Sequence, residues 1–309
     1  MYETLVRSTA PMVRDLEVSG LHGRILTHPI RKPTLGRTIV FVYGIHGSLE
    51  RFYGIVHYLA LFGTIYVPDL PGFGGMDSFY QIGQKPTLDA FGDYLATVIA
   101  QELPEDTRLT LIGLSYGFVV ITRMLARHPD LRSRVDLIIS AMGLAEGSDI
   151  KMNFATRATV ESLLFIGRTP VLGRLMQKII TNPITLRLTY TDRNPKMRSL
   201  PRSERPGYIA FESYLWKCND MRTYGTSMHE LLNYAQPDTH LDLPLEHIET
   251  RQDHWLDVDL AARHLRGIYR SVRIHTSAIT NHGGVAYADE KEAEAIIPAT
   301  VTKLLEQVS

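Results

Sequence analysis

A chain of 309 residues can bury a sizeable core as one large domain, or as a domain carrying an insert. Its 44% hydrophobic and 21% charged residues are ordinary for a globular protein. Its 33 basic and 33 acidic residues cancel, which argues against nucleic acid or an anionic membrane surface as the main partner.

Leu16 to Ile30 predicts two short strands around Gly20 and Gly23, an edge hairpin ended by Arg31-Lys32-Pro33. Thr38–Tyr43 is a continuous apolar β-run, the mark of a strand covered on both faces, and it stops at Gly44-Ile45-His46-Gly47-Ser48. Leu49–Phe62 is helix-like, with Ser48 as N-cap. The strand Gly63–Val67 runs into a turn-rich loop, Pro68-Asp69-Leu70-Pro71-Gly72-Phe73-Gly74-Gly75. Thr87 caps an amphipathic helix ending at Glu102. A strand from Arg108 then meets Gly113-Leu114-Ser115-Tyr116-Gly117, and a helical pattern runs from Val119 to Arg127. Val135–Met142 is another buried strand.

From about Gly143 to His240 the alternation gives way to helical patterns: Thr156–Ile166, Leu172–Ile180, Tyr208–Lys217 and Ser227–Tyr234, joined by proline-rich links. Alternation resumes with the strand Leu245–Thr250, a helix Val258–Arg266, the strand Val272–Ile279 and a last helix from about Asp289 to Gln307. The expected fold class is α/β, a mostly parallel doubly wound sheet. Residues 1–143 and 241–309 are its core, and residues 144–240 are a helical cap over the crevice at the carboxyl ends of the strands.

The chemistry centres on Gly113-Leu114-Ser115-Tyr116-Gly117. A strand that turns at once into a helix exposes the middle residue at the tip, and the turn is so tight that its flanks must be small. Ser115 is therefore the candidate nucleophile. It needs a base, and the base needs a partner that fixes its tautomer. Among 12 histidines, His282 fits the base: it follows the strand Val272–Ile279 in Thr280-Asn281-His282-Gly283-Gly284, whose glycines let the loop reach the crevice. His275 lies inside that strand and is expected to pack, while His254 and His264 are expected at the surface. Asp253 follows the preceding strand and is the candidate acid. Asp257 and Asp259 stand where they would cap the next helix, and Glu146 or Asp149 would serve if the acid had moved one strand earlier. The oxyanion donors are the backbone N–H groups of Tyr116 and Ile45, whose side chains are left to shape the acyl pocket.

Several motifs together resemble those of the α/β-hydrolase superfamily. Tyr43-Gly44-Ile45-His46-Gly47-Ser48 is similar to its His-Gly-x-Pro-Gly-Ser oxyanion loop, and Asp69-Leu70-Pro71-Gly72-Phe73-Gly74 to its Asp-x-Pro-Gly-x-Gly loop. Gly113–Gly117 resembles its nucleophile elbow, and Ser115, Asp253 and His282 follow its chain order of serine, acid and histidine. The resemblance spans about residues 15–145 and 240–309, and implies a hydrolase of the carboxylesterase or lipase type. Tyr43 stands where the family has histidine, His46 where it has proline, and Phe118 where many relatives have a second small residue. A serine nucleophile argues against the dehalogenases and epoxide hydrolases of the superfamily, which use aspartate.

The expected reaction is ester hydrolysis through an acyl-enzyme, with no metal and no cofactor. The same triad would also serve carbon–carbon, lactone or amide hydrolysis or perhydrolysis, and a binding protein on this fold would lack turnover. Tyr43, His46, Phe211, Tyr214 and Trp216 are candidate pocket residues, although packing onto the core is the plainer role for the helix bearing Phe211, Tyr214 and Leu215. Leu163–Ile166 and Val171–Leu172 could line an acyl pocket or dip into a lipid surface, and packing is expected there too. Cys218, the single cysteine, reads as an inert thiol and excludes an internal disulfide. The expected partner is a small-molecule ester, with no nucleic acid and no membrane span. A monomer or a homodimer is compatible with the sequence, and the absence of a leader-like or long apolar segment places the expectation in the cytoplasm.

Overall fold

A computed structural model describes residues 2–32, 36–190, 202–236, 239–250, 253–279 and 290–307. The apolar runs become β1 (Val13–Val18), β2 (Leu21–His28), β3 (Arg37–Val42), β4 (Gly63–Pro68), β5 (Leu109–Leu114), β6 (Val135–Ala141), β7 (Leu241–Glu249) and β8 (Tyr269–Thr276). They form one sheet in the order β1-β2-β4-β3-β5-β6-β7-β8. β1 and β2 pair antiparallel, β2 joins β4 antiparallel, and every pairing from β4 through β8 is parallel. The sheet is therefore the mostly parallel, doubly wound one expected. β5, the strand before Ser115, is buried along its whole length, which explains its unbroken apolar run.

The hairpin turn is Ser19-Gly20, with φ of 52° and 80°. Gly23 lies within β2 opposite Leu16, not in the turn, and the Met76 side chain fills the space its Cβ would take. After β3 the chain forms a 3-10 turn, Leu49–Phe52, before helix α2 (Tyr53–Leu59), and the Ser48 side chain does not cap it. That differs from the single Ser48-capped helix expected. The N-terminal helix α1 (Tyr2–Thr9) carries no capping signal in the sequence. Thr87 does cap α3 (Leu88–Glu102), accepting from the Ala90 N–H at 3.1 Å. α4 (Tyr116–Arg127) begins at the residue after Ser115, three residues before the expected start.

Between β6 and β7 the described residues form α5 (Phe154–Gly167), α6 (Pro170–Ile180), α7 (Pro183–Thr189), α8 (Arg205–Cys218) and α9 (Met221–Leu232), and add no strand to the sheet. They lie in two layers. α8 and α9 bury most of one face each, including Tyr208, Phe211, Leu215, Met228 and Leu231. α5 to α7 are mostly exposed: Leu163, Phe165, Ile166, Val171 and Leu172, expected to pack, face solvent, and of that set Leu164 alone is buried. α10 (Val258–Ile268) starts at Asp257, whose side chain accepts the Leu260 N–H. The last expected helix is two, α11 (Glu290–Ile296) and α12 (Ala299–Glu306), parted at Pro298, which cannot continue a helix. No helix among the described residues is long and apolar enough to cross a membrane.

His264, expected at the surface, is half-buried, with its Nδ1 2.7 Å from Asp149 Oδ1. His275 packs inside as expected, its Nε2 2.6 Å from Glu246 Oε2. His247 is buried beside it, with Nδ1 3.0 Å from Ser140 Oγ across the β6–β7 pairing. Burial pushes the His247 imidazole down from 6.5 to about 4, and the neighbouring His275 pushes the same way. Between those two pH values the unfolded chain takes up a proton that the folded chain refuses. This contribution to stability is therefore full above about pH 6.5 and lost as pH falls toward 4. Urea unfolding midpoints at pH 7 and pH 4.5 test this: His247→Asn should lose part of the acid sensitivity, and an unaltered acid sensitivity in that variant removes His247 as its source.

Candidate active site

The sheet aims its carboxyl ends at one edge, and backbone strain gathers there. Four non-glycine residues among those described have positive φ. Ser19 is in the hairpin turn. The other three, His46, Ser115 and Met142, with φ of 61°, 50° and 49°, stand just after β3, β5 and β6. Each such residue costs on the order of 1–3 kcal/mol, which the surrounding packing must hold.

Ser115 has φ 50° and ψ −116°, and its hydroxyl does not cap α4. Its own N–H donates to the Ala141 carbonyl at 2.9 Å, so the turn is tied to β6. The two flanking glycines have no room for a side chain. A Cβ on Gly113 would strike the Phe118 backbone, and one on Gly117 would strike the carbonyls of Val42 and Tyr43. A Cβ on Gly44 would sit 3.4 Å from Ser115 Cβ. The Gly44-Ile45-His46 loop is thus packed directly against the elbow. Tyr116 is the first residue of α4, where the N–H has no partner within its own helix.

The side chains of Tyr116 and Phe118 point into the core. Tyr116 is fully buried, packed edge-on to Phe91 with ring centres 5.7 Å apart, and its hydroxyl faces Ser227 of α9. It is part of the core and not a pocket wall, since the first helical turn carries it inward. Phe118 is also buried and stacks on Tyr269 at 5.9 Å. The space it needs comes from Gly113 and Gly143, neither of which could carry a Cβ without striking it. Two glycines thus accommodate the large side chain of Phe118.

Tyr43 is a strut. It is fully buried, its hydroxyl donates to Asp69 Oδ1 at 2.8 Å and accepts the Leu70 N–H at 2.9 Å, and its ring stacks on Phe52. Asp69, also fully buried, takes Arg24 Nε on its other oxygen at 2.9 Å, while Tyr94 donates to its carbonyl at 2.7 Å. Arg24 reaches on to Glu50 Oε1 at 2.7 Å and to the Gly74 carbonyl at 2.6 Å. Burial pushes the Asp69 carboxyl up to about 7, and the Arg24 guanidinium pulls against it. This network joins the loop after β3 to the loop after β4. The sequence marks Asp69 through its motif but offers no signal for Arg24 or Glu50, which come from β2, far away in the chain, and from a 3-10 turn.

His46 joins the same loop to α8 and α9. Its Nδ1 lies 3.1 Å from Asn219 Nδ2, and Asn219 Oδ1 accepts the Gly74 N–H at 2.7 Å. That second bond orients the Asn219 amide, so His46 Nδ1 is an acceptor and the neutral ring carries its proton on Nε2, 3.6 Å from Glu212 Oε2. The Trp216 ring centre is 4.0 Å from that of His46. Of the candidate pocket residues, His46 and Trp216 therefore meet, whereas Phe211 is fully buried and stacks on Tyr214 at 6.1 Å.

Asp253 is buried in the loop after β7, and its Oδ1 accepts the N–H groups of Trp255 and Leu256 at 2.8 and 2.9 Å. The loop after β6 holds it there: Ile150 bridges Leu256, and Lys151 Nζ donates to the Asp253 carbonyl. Asp149, the alternative acid, is committed elsewhere. It is fully buried, with Oδ2 accepting the N–H groups of Ala145 and Glu146 and Oδ1 beside His264. His282 lies outside the described residues. Burial pushes the Cys218 thiol up to about 12, in keeping with an inert thiol. No group of three or more metal-ligating side chains occurs among the described residues.

No family model and no curated protein matches this chain. Solved structures do. A putative lipase from Acinetobacter baumannii AYE is 16% identical, with a TM-score of 0.67 over 99% of this chain and 96% of that one. An esterase from Exiguobacterium antarcticum is 16% identical, with a TM-score of 0.63 over 92% and 96%. The epoxide hydrolase CorEH is 14% identical, with a TM-score of 0.66 over 95% and 97%. Such likeness is one of fold, and the fold of this chain is that of the α/β-hydrolases.

Tyr43→Phe leaves the Leu70 N–H and one Asp69 oxygen without their partner while conserving ring packing. It should destabilise the protein by about 1–3 kcal/mol, read as a lower denaturation midpoint. An unchanged midpoint would show that the hydroxyl carries no part of the network.

Proposed function

We propose that this chain is a serine hydrolase that cleaves a carboxylic ester through an acyl-enzyme intermediate. The observation that carries the reading is the Ser115 turn: a non-glycine residue at φ 50° and ψ −116°, between a buried strand and a helix, with both flanks confined to glycine. Such a costly conformation is maintained where it presents a side chain for chemistry.

In this reading Ser115 Oγ attacks the ester carbonyl as His282 takes its proton. The negative charge on the tetrahedral oxygen is held by the N–H groups of Ile45 and Tyr116, each worth roughly 10²–10³ in turnover. His282 passes its proton to the leaving alkoxide, leaving the acyl group on Ser115. Water, deprotonated by His282, then releases the acid and restores the serine. Asp253 orients His282 and stabilises its charged form. Support for Asp253 over Asp149 comes from the bonds described: both Asp149 oxygens are used by its own loop and His264. The helices of residues 144–240 are the cap over the crevice, and His46 with Trp216 forms part of its wall.

Ser115→Ala should abolish hydrolysis of a p-nitrophenyl short-chain ester and labelling by a fluorophosphonate probe, and unchanged turnover would sink the assignment. Asp253→Asn should lower turnover by roughly 10⁴ by leaving the imidazole in the wrong tautomer. If Asp149→Asn or Glu146→Gln does so instead, the acid is misassigned. An ester, lactone and amide panel compared at equal acyl length decides the bond class.

A further inference from the structure

The outer helices between β6 and β7 carry an apolar surface that nothing in the described fold covers. Among the described residues eleven large hydrophobic side chains are exposed, and ten of them fall between residues 154 and 188. Phe154 is 89% exposed, Val171 75%, Leu188 72% and Ile184 69%. Scattered exposed hydrophobics are normal, but ten within three consecutive helices are a patch. These side chains are not needed to dock the insertion on the core. The inner layer does that: Asn219 Oδ1 accepts the Gly74 N–H, Thr223 and Ser78 hydroxyls meet at 2.7 Å, Glu230 accepts the Leu88 N–H, and Arg222 stacks on Tyr80 with its guanidinium 3.5 Å from the ring centre.

Charge identifies what the patch fits. Residues 151–190 contain six lysines and arginines and one acid, Glu161, a net of five positive charges in a chain whose total is zero. The one acid is turned inward, 2.6 Å from His229 Nδ1 on α9. α6 shows the arrangement on a single helix. Gly173 is buried, while the exposed Val171, Leu172, Leu175 and Ile179 form one stripe and the exposed Arg174 and Lys178 form the stripe beside it. An apolar band flanked by cations is the pattern of a helix that lies in the headgroup region of an anionic bilayer.

We infer that the outer face of α5–α7 is a docking surface for an anionic phospholipid membrane, with the apolar band entering the headgroup boundary and Arg174, Lys178 and Arg187 meeting lipid phosphates. This inference is independent of the ester reading, because it uses no residue of the proposed triad. A second copy of the chain would cover the band but would set five positive charges against five, which the observed charge disfavours.

Co-sedimentation of the full chain with vesicles tests it. The protein should pellet with phosphatidylcholine vesicles containing 30% phosphatidylglycerol and remain in the supernatant with phosphatidylcholine alone, and added salt should weaken the binding. The exposed double variants Val171→Ser with Leu175→Ser, and Arg174→Glu with Lys178→Glu, should each cut binding by about tenfold or more. Arg263→Glu, on α10, should leave it unchanged, and Ser115→Ala should pellet like the parent. No binding to anionic vesicles, or equal binding to both vesicle types, overturns the inference. So does a concentration-dependent dimer in light scattering that Val171→Ser with Leu175→Ser abolishes without affecting sedimentation.

Discussion

Gly117 lies against the carbonyls of Val42 and Tyr43 with no room for a Cβ between them. That approach is the constraint from which the site is built. It presses the first turn of α4 onto the end of β3 and brings the loop that follows β3 to the side of Ser115. A parallel pairing of β3 with β5 sets the two strand ends level, with Val42 opposite Gly113. The strained Ser115 backbone is then held from both sides, by its N–H on Ala141 and by the close packing of Gly44. Strain, small residues and a buried strand are one requirement seen three ways: a side chain must stand above a sheet with no loop to carry it.

The loop after β3 must also be held from behind, and here a buried charge is used where an apolar contact would not suffice. Asp69 is removed from water at a cost that Arg24 and Tyr43 offset. Its value lies in direction. An apolar cluster would tolerate sliding between the loops after β3 and β4, whereas a carboxylate with a guanidinium on one oxygen and a phenol on the other admits one arrangement. His46 repeats the device toward the inserted helices, through an Asn219 whose amide is fixed by the Gly74 N–H. Both anchors converge on Gly72–Gly75, and Gly72, with φ 81°, leaves room there for Thr223 of α9.

Much of this was legible in the sequence, and for physical reasons. Strands covered on both faces must be continuously apolar, so β3, β5 and β6 stand out. Glycines at sites with no room for a Cβ are fixed by sterics, so the elbow and the Asp69 loop appear as motifs. The antiparallel edge, the caps at Thr87 and Asp257, and the helical character of residues 144–240 were readable in the same way. What was illegible depends on distance. Arg24 and Glu50 are unremarkable until the fold brings them to Asp69. His264 read as a surface residue because its partner, Asp149, is 115 positions away. Phe118 looks oversized in one dimension because the glycine at 143 that helps admit it lies on another strand end.

Total charge was misleading in a related way. A chain with a net charge of zero suggests indifference to anionic surfaces, but the sum conceals a segment of five positive charges balanced by five negative ones elsewhere. The apolar residues of α5 to α7 were misread for the same cause. Within helical patterns, Leu163–Ile166 and Val171–Leu172 look like core, because burial is the usual reason to place such residues in a helix. Helices covering a core on one side need a single apolar face, and α8 and α9 follow that rule. α6 has Gly173 turned to its neighbours and its branched residues turned out, the inverse of a helix packed for stability alone. When a helix spends its small residues inward and its large apolar residues outward, the described fold supplies no second apolar environment for them, and the cations beside the band favour an anionic one.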